Sequence, residues 1–341
     1  MAKPRLKDVA QAAGVSQGTV SNVFNRPELV RPELREKVHE VAQTLGYRGP
    51  NPAGRVLRAG KAGAIGIVTS NPSHYFFDDP FARLFMSGVT DAMSETGSTI
   101  SLISTQDGAV ADRVISDALV DGFIVLCAEE GDPLATKAAT RGLPTVRVDA
   151  PSDGKASGVI IDDRAGARMA ARHLIDLGHH RLAAFLTGSP GLTGEYYCGA
   201  APERARGYRE AAAGLPADAL TIEHTGSEPH AIRSAMERLL GGPDPVTGIL
   251  AMSDKLAITV LAIAEAMNLR VPEDVSVIGF DDVPEAALCS PKLTTIRQPA
   301  WEKGAAAARL LLDEPARTVE LPLQLVVRGS TAPPGGPPQA R

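Results

Sequence analysis

The stretch LKDVAQAAGVSQGTVSNVFN, residues 6–25, decides how the N-terminal region of the chain folds. Small and apolar residues at helical spacing predict a first helix over residues 7–13, and Gly14 can end it in a left-handed conformation. Ser16 is suited to cap a second helix, because its hydroxyl can accept a hydrogen bond from a backbone N–H. The stretch therefore predicts two short helices joined by a tight turn.

The second of these helices has one apolar face and one polar face. Val20, Val23 and Phe24 fall together on the apolar face. The opposite face carries amide or hydroxyl side chains and one glycine, at Gln17, Gly18, Ser21, Asn22 and Asn25. Glutamine and asparagine can bond adenine edges, and serine can bond bases or phosphates. The pattern suits a helix-turn-helix whose second helix lies in the major groove of DNA, and an ordinary helical hairpin is the alternative.

Charge is unevenly distributed along the 341 residues, whose formal net charge is −5. Residues 1–61 hold eleven Lys/Arg and five Asp/Glu, against 24 and 35 in the remainder. A basic N-terminal region on an acidic body is the asymmetry expected of a DNA-binding head, and the acidic body disfavours non-specific contact with DNA. The length leaves room for two or three domains.

Targeting and metal-binding signals are missing from the sequence. The start, MAKPRLKD, lacks the apolar region of a signal peptide, and no run reaches the roughly 18 apolar residues of a membrane span. The three cysteines, Cys127, Cys198 and Cys289, lie far apart, and no metal-binding spacing occurs. We therefore expect a cytoplasmic protein with reduced thiols, no metal, no cofactor and no membrane association.

A third helix and a linker follow the helix-turn-helix. The helix is predicted over residues 32–45, where Pro32 suits the first turn and apolar residues make one face. Residues 46–63, GYRGPNPAGRVLRAGKAG, are rich in Gly, Pro, Arg and Lys, as in a linker. Residues 53–58 could form one helical turn, which is marginal because nucleation is costly and Gly54 weakens it. We therefore expect a basic hinge that folds only on DNA.

From Ala64 onward, short apolar strands alternate with amphipathic helices. Strands are predicted at residues 64–70, 99–104, 122–127, 143–149, 181–187, 219–224, 247–252, 275–280 and 319–327. Helices are predicted at residues 81–95, 109–119, 133–140, 164–177, 203–213, 229–240, 254–267 and 300–312. The alternation predicts an α/β fold with mostly parallel sheets, arranged as two lobes in series.

The order of head, linker and two lobes resembles the LacI/GalR family of transcriptional regulators, over the chain to about residue 330. The matching motifs are DVAQAAGVSQGTVSNVFN at 8–25, REKVHEVAQTLGY at 35–47, LIDLGHHRLA at 174–183, RARGY at 204–208, and VPEDVSVIGFDD with PKLTTIRQP between 271 and 299. The resemblance implies a ligand-responsive, dimeric DNA-binding protein. It also implies a head with the lambda-repressor-like fold and lobes with the periplasmic-binding-protein fold.

Pattern and resemblance together predict the domain boundaries. The helix-turn-helix head is expected at 1–48, the hinge at 49–62, and the effector-binding and dimerisation domain at 63–330. The first lobe is expected to comprise about 63–161 and 297–316, and the second about 162–296 and 317–330. Residues 331–341, TAPPGGPPQAR, are Pro/Gly-rich and are expected to form a disordered tail.

The resemblance implies roles for residues of the head and hinge. The positions that match the family's operator-contacting set are Ser16, Gln17, Gly18, Ser21, Asn22 and Asn25. Tyr47 matches a phosphate contact, and Leu57 matches the hinge leucine that is wedged into the minor groove, where it partly unstacks a base step. For Leu57, a linker leucine packed on a lobe is the alternative. Arg55 lies in the basic hinge and is expected to contact phosphate.

The chain departs from the family pattern at three places. Gly49 is inserted in the hinge, and Gly54 replaces a usual alanine, so the hinge should be floppier without DNA. Gly18 removes one of the usual specificity side chains. The segment 188–202 is longer than usual.

A cleft between two lobes is a common place for a small ligand, and loops at the carboxyl ends of parallel strands should line it. The polar residues that these loops supply are Asn71, Ser73, His74, Tyr75, Asp149, Arg204, Ser253, Asp254 and Asp281. By resemblance, the family's ligand-contacting positions are Asp149, Arg204, Ser253 and Asp281. Together with Asn71, Ser73 and Tyr75 they form the predicted effector site. Arginine donors and carboxylate acceptors suit a polyhydroxylated ligand such as a sugar.

Other polar residues near the cleft have a structural explanation. The aspartates favoured as helix caps over ligand contacts are Asp162, Asp163 and Asp254. Asp282 is expected to bond backbone atoms in a turn, and His179 and His180, before a strand, are interpreted as structural.

The sequence therefore predicts a DNA-binding repressor that binds a pseudo-palindromic operator as a homodimer and is controlled by a small-molecule effector, a sugar or sugar derivative. A cytosolic sugar-binding module without DNA function is the alternative, but it leaves the basic head unexplained. No GxSxG elbow, P-loop or GxGxxG after a strand occurs in the sequence, so no enzymatic activity is expected.

Overall fold

The chain divides at residue 63 into an N-terminal unit, residues 1–63, and a larger unit, residues 64–341. The computed structural model describes residues 4–49, 60–104, 108–126, 133–187, 200–313 and 315–335. The division falls where the helical sequence pattern gives way to the first apolar strand.

The N-terminal unit is helical. Its elements are α1 (Leu6–Ala13), α2 (Gln17–Asn25), a 3₁₀ turn (Pro27–Leu29) and α3 (Pro32–Leu45). Gly14, with φ of 69°, ends α1 in the left-handed conformation. Ser16 caps α2 by accepting a 3.0 Å hydrogen bond from the backbone N–H of Thr19. The predicted helix-turn-helix, with both of its local signals, is confirmed.

The three helices share a small apolar core. Its buried residues are Val9, Ala10, Ala13, Val20, Val23, Val38 and Ala42. The ring of Phe24 packs on this core and meets the rings of His39 and Tyr47 edge-on, at 5.2 and 5.6 Å between centroids. The inserted Gly49 has φ of 101°, and a Cβ added there would lie 3.5 Å from the Phe24 ring. Because glycine adopts this conformation without strain, the extra residue packs against the head as part of it.

The larger unit consists of two lobes, each built on a six-stranded sheet. The first sheet, in the order β11-β5-β4-β3-β1-β2, contains β1 (Ala64–Thr69), β2 (Thr99–Ser104), β3 (Phe123–Val125), β4 (Thr145–Val148), β5 (Ser157–Ile160) and β11 (Thr318–Glu320). The second, in the order β12-β10-β9-β8-β6-β7, contains β6 (Leu182–Leu186), β7 (Leu220–His224), β8 (Gly248–Ala251), β9 (Ser276–Asp281), β10 (Thr294–Arg297) and β12 (Gln324–Val326). The described pairings are parallel except that of β10 with β12. The predicted α/β fold with mostly parallel sheets is confirmed.

Helices connect the strands, because neighbouring parallel strands need a crossover between them. They are α4 (Tyr75–Asp78), α5 (Pro80–Met93), α6 (Gly108–Asp117), α7 (Pro133–Thr140), α8 (Asp163–Asp176), α9 (Ala200–Ala212), α10 (Pro229–Leu240), α11 (Asp254–Ala266) and α12 (Ala300–Leu310). None of the helices within the described ranges is long and apolar enough to cross a membrane.

Helices α5 and α12 of the first lobe pack at very close range. A Cβ added at Gly88 would lie 1.9 Å from the carbonyl oxygen of Trp301, and one added at Gly304 would lie 2.0 Å from that of Phe85. Only glycine leaves room for this approach. The crossing fixes the position of Lys303, the neighbour of Gly304, near the carboxyl end of β4.

The chain passes between the lobes three times: after β5, after β10, and between β11 and β12. The sequence predicts one strand over residues 319–327, but β11 pairs with β5 of the first sheet and β12 with β10 of the second. Pro322 lies between the two strands and has no N–H to donate to a ladder, which explains the interruption. Placing residues 317–330 in the second lobe is therefore wrong for β11.

Part of the predicted disordered tail is ordered. The His173 ring lies 3.0 Å from the hydroxyl of Thr331, and the backbone N–H of Ala332 donates to the Ser276 hydroxyl at 3.1 Å. His179 is buried, and its ring donates to the carbonyl of Ala332 at 2.9 Å, so its predicted structural role is confirmed. Residues 331–335 thus continue the second lobe, and residues 336–341 lie outside the described ranges.

Candidate effector cleft and DNA-binding face

A cleft lies between the two lobes, at the carboxyl ends of their parallel strands. It encloses about 570 Å³ of empty space, part of it open to solvent. Its lining comes from both lobes: Asn71, Tyr75, Asp79, Phe81, Asp149, Thr187, Ala200, Arg204, Met252, Ser253, Asp281, Gln298 and Lys303.

Six of the seven residues predicted for the effector site line this cleft: Asn71, Tyr75, Asp149, Arg204, Ser253 and Asp281. Ser73, the seventh, is exposed and lies outside the lining. The sequence did not single out five polar or aromatic lining residues: Asp79, Phe81, Thr187, Gln298 and Lys303. Gln298 sits in the motif that carries the family resemblance, so its position was a usable signal.

The first lobe contributes a buried ion pair between Lys303 and Asp149. The Lys303 Nζ lies 2.7 Å from Asp149 Oδ1 and also donates to the Gln298 Oε1 at 2.8 Å. Burial lowers the pKa of Lys303, but Asp149 and Asp163 raise it by more, so the amine stays charged. Asp149 follows β4 with φ of 72°, a backbone conformation that non-glycine residues rarely adopt and that concentrates at functional sites.

The second lobe contributes a buried ion pair between Arg204 and Asp163. The Nε and Nη2 atoms of Arg204 both lie 2.8 Å from Asp163 Oδ1, and Nη1 donates to the carbonyl of Met252. The guanidinium carbon is 3.6 Å from the centroid of the Phe280 ring, a cation–π contact. Burial raises the pKa of Asp163, and Arg204 opposes that shift. A buried arginine needs such partners, because an unpaired charge is costly in the interior.

Gln298 connects the first pair to the second lobe. Its Nε2 donates to Asp281 Oδ1 at 2.5 Å, while its Oε1 accepts from Lys303. A chain of hydrogen bonds therefore runs from Asp149 through Lys303 and Gln298 to Asp281. Burial raises the pKa of Asp281 well above its usual value, Arg204 lowers it, and Asp254 raises it further. Asp281 is the last residue of β9 and, like Asp149, has a positive φ, here 132°.

Asp254, predicted to be a helix cap, makes longer-range contacts instead. Ser253, and not Asp254, caps α11, by accepting from the Leu256 N–H at 3.2 Å. Asp254 instead accepts from the Val283 N–H at 2.9 Å and from the Thr295 hydroxyl at 2.5 Å, which fastens the loop after β9. Burial raises the pKa of Asp254 to about 6.

Of the other three aspartates, one caps a helix and two form ion pairs with residues distant in sequence. Asp162 caps α8 as predicted, accepting from the Ala165 N–H at 2.8 Å, whereas Asp163 pairs with Arg204. Asp282 forms ion pairs with Arg297 and Arg328 in place of the predicted backbone bonds. Of the four aspartates, only Asp162 has its predicted local role; the predictions for Asp163, Asp254 and Asp282 are wrong, because their partners are distant in sequence.

Two further ion pairs bridge the lobes near the cleft. Asp79 caps α5 by accepting from the N–H groups of Phe81 and Ala82, and its Oδ2 lies 3.8 Å from the Nζ of Lys255 in the second lobe. Arg83 pairs with Glu285 at 2.5 Å. Both members of the latter pair are partly exposed, so it is weak in water and easily broken.

The polar face of α2 is exposed at Ser16, Gln17, Gly18, Asn22 and Asn25, and Ser21 is half-buried. Asn25 donates from Nδ2 to the backbone carbonyl and hydroxyl of Ser21, at 3.0 and 3.2 Å. Gln17 and Asn22 project from the first and second turns, where a recognition helix meets base edges. Tyr47 is half-buried beside Phe24, and the hinge residues Arg55 and Leu57 lie outside the described residues.

Within the ranges that the structure describes, no group of three or more His, Cys, Asp or Glu residues is arranged to hold a metal ion. Cys289 is a free, half-buried thiol, and Cys127 and Cys198 lie outside those ranges.

Two family models match the chain. The model described as bacterial regulatory proteins, lacI family, matches residues 5–51, and a periplasmic binding protein-like domain matches residues 171–331. An HTH-type transcriptional regulator of Mycobacterium tuberculosis is 37% identical over 354 residues, covering 98% of this chain and 97% of that protein. The chain belongs to the LacI family of bacterial regulatory proteins.

Solved structures of LacI-family regulators share the fold of this chain. A complex of the transcriptional regulator CelR with cellobiose has a TM-score of 0.68 at 31% identity and covers 96% of this chain and 99% of its own. A LacI family transcriptional regulator from Enterococcus faecium, with bound ribose, has a TM-score of 0.68 at 27% identity and covers 79% of this chain and 99% of its own.

Membership in the LacI family decides between the functions left open by the sequence. The chain is a DNA-binding transcriptional regulator, and its relatives are regulators, not enzymes. The alternative of a sugar-binding module without DNA function is wrong, because residues 5–51 match the DNA-binding region of the family.

Proposed function

We propose that this LacI-family regulator is a repressor that binds a pseudo-palindromic operator as a homodimer and is controlled by a carbohydrate effector bound between its lobes. The observation that carries the proposal is the cleft, where polar side chains from both lobes converge around one small space. The proposed effector residues are Asn71, Tyr75, Asp149, Arg204, Ser253 and Asp281.

The chemistry of the lining supports a hydroxyl-rich ligand. Carboxylate oxygens of Asp149 and Asp281 accept hydrogen bonds, and the Gln298 amide can both donate and accept. Tyr75 and Phe81 supply apolar surface that can pack on the C–H face of a sugar ring. The solved structures of CelR in complex with cellobiose and of the Enterococcus faecium regulator with bound ribose are consistent with this class of ligand.

The three chain crossings support control through the angle between the lobes. A ligand that contacts both lobes favours one closure state, and it shifts the equilibrium only by its difference in affinity for the two states. Coupling between two such sites is typically about 1–3 kcal/mol, which is a several-fold to hundred-fold change in operator affinity.

The effector experiment uses the full chain and a thermal-shift screen of sugars, nucleosides and related metabolites, starting with cellobiose and ribose. A ligand at 100 times its Kd should add about 2.7 kcal/mol of stability. Hits are then added to the chain bound to an operator obtained by in vitro selection, and fluorescence anisotropy reports the change in affinity. The carbohydrate proposal fails if no sugar stabilises the protein or changes its affinity for DNA.

The DNA-binding proposal is tested by comparing Gln17→Ala with Gln43→Ala, an exposed glutamine on α3. Loss of a base contact at Gln17 should relax preference at one operator position by about 1–3 kcal/mol, while the control leaves it unchanged. Footprinting should show two inverted half-sites, because a dimer with a two-fold axis presents its two heads symmetrically. A single half-site bound by a monomer contradicts the proposal. Lower transcript yield from the selected operator in a purified transcription reaction tests the repressor role.

A further inference from the structure

The cleft holds two buried cations, Arg204 and Lys303, which at first inspection suit an anionic ligand. Arginine and lysine are the side chains that most often hold phosphate and carboxylate groups in proteins. A site for an anion, however, needs donors whose charge is not already balanced by the protein. The contacts of the two cations therefore decide which ligands the cleft accepts.

Lys303 is balanced inside the first lobe. Its side chain is 1% exposed, and its Nζ donates to Asp149 and Gln298 at 2.7 and 2.8 Å. The Nζ also lies 5.2 Å from the centroid of the Phe81 ring. An ammonium group has three N–H donors, so these neighbours take up most of its capacity.

Arg204 is balanced inside the second lobe. Two of its nitrogens donate to the Asp163 carboxylate, and a third donates to the Met252 carbonyl. The Phe280 ring covers one face of the guanidinium group. An incoming phosphate or carboxylate would have to compete with the buried carboxylate of Asp163 for the same donors.

Acceptors, by contrast, are in excess at the cleft. The lining includes three carboxyl groups, at Asp79, Asp149 and Asp281. An anionic substituent meets like charge at low dielectric at those of the three that are ionised, whereas a hydroxyl group can donate to the oxygens of any of them. The arrangement repels one chemical class and attracts another, which is how binding sites gain specificity.

We propose that Lys303 is a specificity-determining residue: as the internal counter-ion of Asp149, it makes the cleft select an uncharged, hydroxyl-rich effector and reject the phosphorylated or carboxylated form of the same compound. This deepens the proposed function and rests on the cleft being the effector site. In this arrangement Asp149 has a repulsive role as well as an attractive one, because it occupies the ammonium group that an anion would need.

The first test uses inorganic phosphate as the probe and the full chain throughout. In Asp149→Asn the charge of Lys303 is uncovered, so phosphate should raise the melting temperature by about 2–4 °C more than it does in the wild type, compared with sodium chloride at equal ionic strength. The double variant Asp149→Asn/Lys303→Met should return to the wild-type response. Phosphate bound elsewhere, including at the basic head, should shift the melting temperature of all three proteins equally. It therefore does not affect the differences between them. Equal responses in the three proteins overturn the proposal.

The second test measures selectivity with matched ligands: ribose against ribose 5-phosphate, and cellobiose against cellobionate. The wild type should bind the neutral member of a pair at least tenfold more tightly by calorimetry, and Asp149→Asn should narrow that ratio by tenfold or more. Lys155→Met removes an exposed lysine of the same lobe and should keep the wild-type ratio. A ratio near one in the wild type overturns the proposal. If no sugar binds but the phosphate pattern is found, the role of Lys303 stands and the carbohydrate identity of the effector fails.

Discussion

Two buried ion pairs face the cleft, one in each lobe, and they are held in different ways. Arg204 contacts Asp163, Met252 and Phe280, which belong to the second lobe. Lys303 binds Asp149 in its own lobe but also reaches Asp281 of the second lobe through Gln298. The contacts of the arginine pair lie within one lobe, whereas the hydrogen-bonded chain through Lys303 and Gln298 crosses from one lobe to the other. The difference separates a residue that maintains a lobe from one that can report closure.

The largest effect is expected for Arg204→Ala. The change leaves Asp163 buried without its partner, and breaking a buried ion pair in this way costs about 3–5 kcal/mol of unfolding free energy. Urea denaturation of the full chain measures it. Arg206→Ala, on the same helix but exposed, should change stability by no more than about 0.5 kcal/mol. A loss below about 1 kcal/mol for Arg204→Ala would show that the guanidinium does not stabilise the buried Asp163 carboxyl group.

Asp254 of the second lobe is also buried, so the free energy of unfolding should depend on pH. Its pKa is raised from 3.8 to about 6, so folding favours the protonated form. The resulting stabilisation of the folded state is fully present below about pH 4 and is lost as the pH rises through about 6. The two pKa values, 3.8 and about 6, differ by roughly two units, and each unit corresponds to about 1.4 kcal/mol. The free energy of unfolding should therefore fall by up to about 3 kcal/mol.

The variant Asp254→Asn cannot titrate at this position, so its unfolding free energy relative to the wild type should rise by up to about 3 kcal/mol between pH 4 and pH 7. Denaturation series at half-unit intervals give the difference directly. A difference that is flat across this window, or falls, contradicts the burial of a titrating carboxyl group at this place.

A smaller loss is expected for Lys303→Met, about 1–3 kcal/mol, because the unpaired Asp149 can recover some hydration from the open cleft. In the double variant Lys303→Met/Asp149→Asn, the buried charge is gone as well, so part of the loss should be restored. A coupling energy of at least about 0.5 kcal/mol in this cycle supports the pairing. Strict additivity of the two single changes would show that the amine and the carboxylate do not interact.

The smallest stability effect is expected for Gln298→Leu, about 1 kcal/mol, since both ion pairs remain and only the link between them is cut. The link should nevertheless matter for motion. Spin labels on cysteines introduced at the exposed positions Lys155 and Lys292, one in each lobe, should report a broader distance distribution in the variant once the native cysteines are replaced. An unchanged distribution would mean that the lobes are oriented by other contacts.

Local patterns in the sequence were sufficient for most of the fold. The third helix of the head was predicted at its observed bounds, and the Ser16 cap and the Gly14 helix end were correct because they depend on neighbouring residues alone. The strands β5 and β10 were missed, since each has only four residues and neither shows an alternating pattern. Whether such short segments form strands depends on pairing with strands that are distant in the sequence.

The cleft shows the limit of local reasoning more clearly. The lysine at 303 lies within a stripe of small residues, Ala300, Gly304 and Ala307, at the spacing of a buried helix face. That spacing was a signal for its burial, but a lysine is normally placed in solvent, and its partner Asp149 lies 154 residues away. The same holds for Asp163 and Asp254, whose partners come from other elements.

The last strand of the first lobe, β11, comes near the end of the chain, and this has a consequence for synthesis on the ribosome. β11 pairs with β5, which is made about 160 residues earlier, and α12 follows the greater part of the second lobe. At about 5–20 residues per second, β5 waits roughly ten to thirty seconds with one edge unpaired. An exposed strand edge can pair with another chain, so a product that ends before Thr318 should aggregate. The first lobe begins to emerge early, yet it is among the last parts of the molecule to be completed.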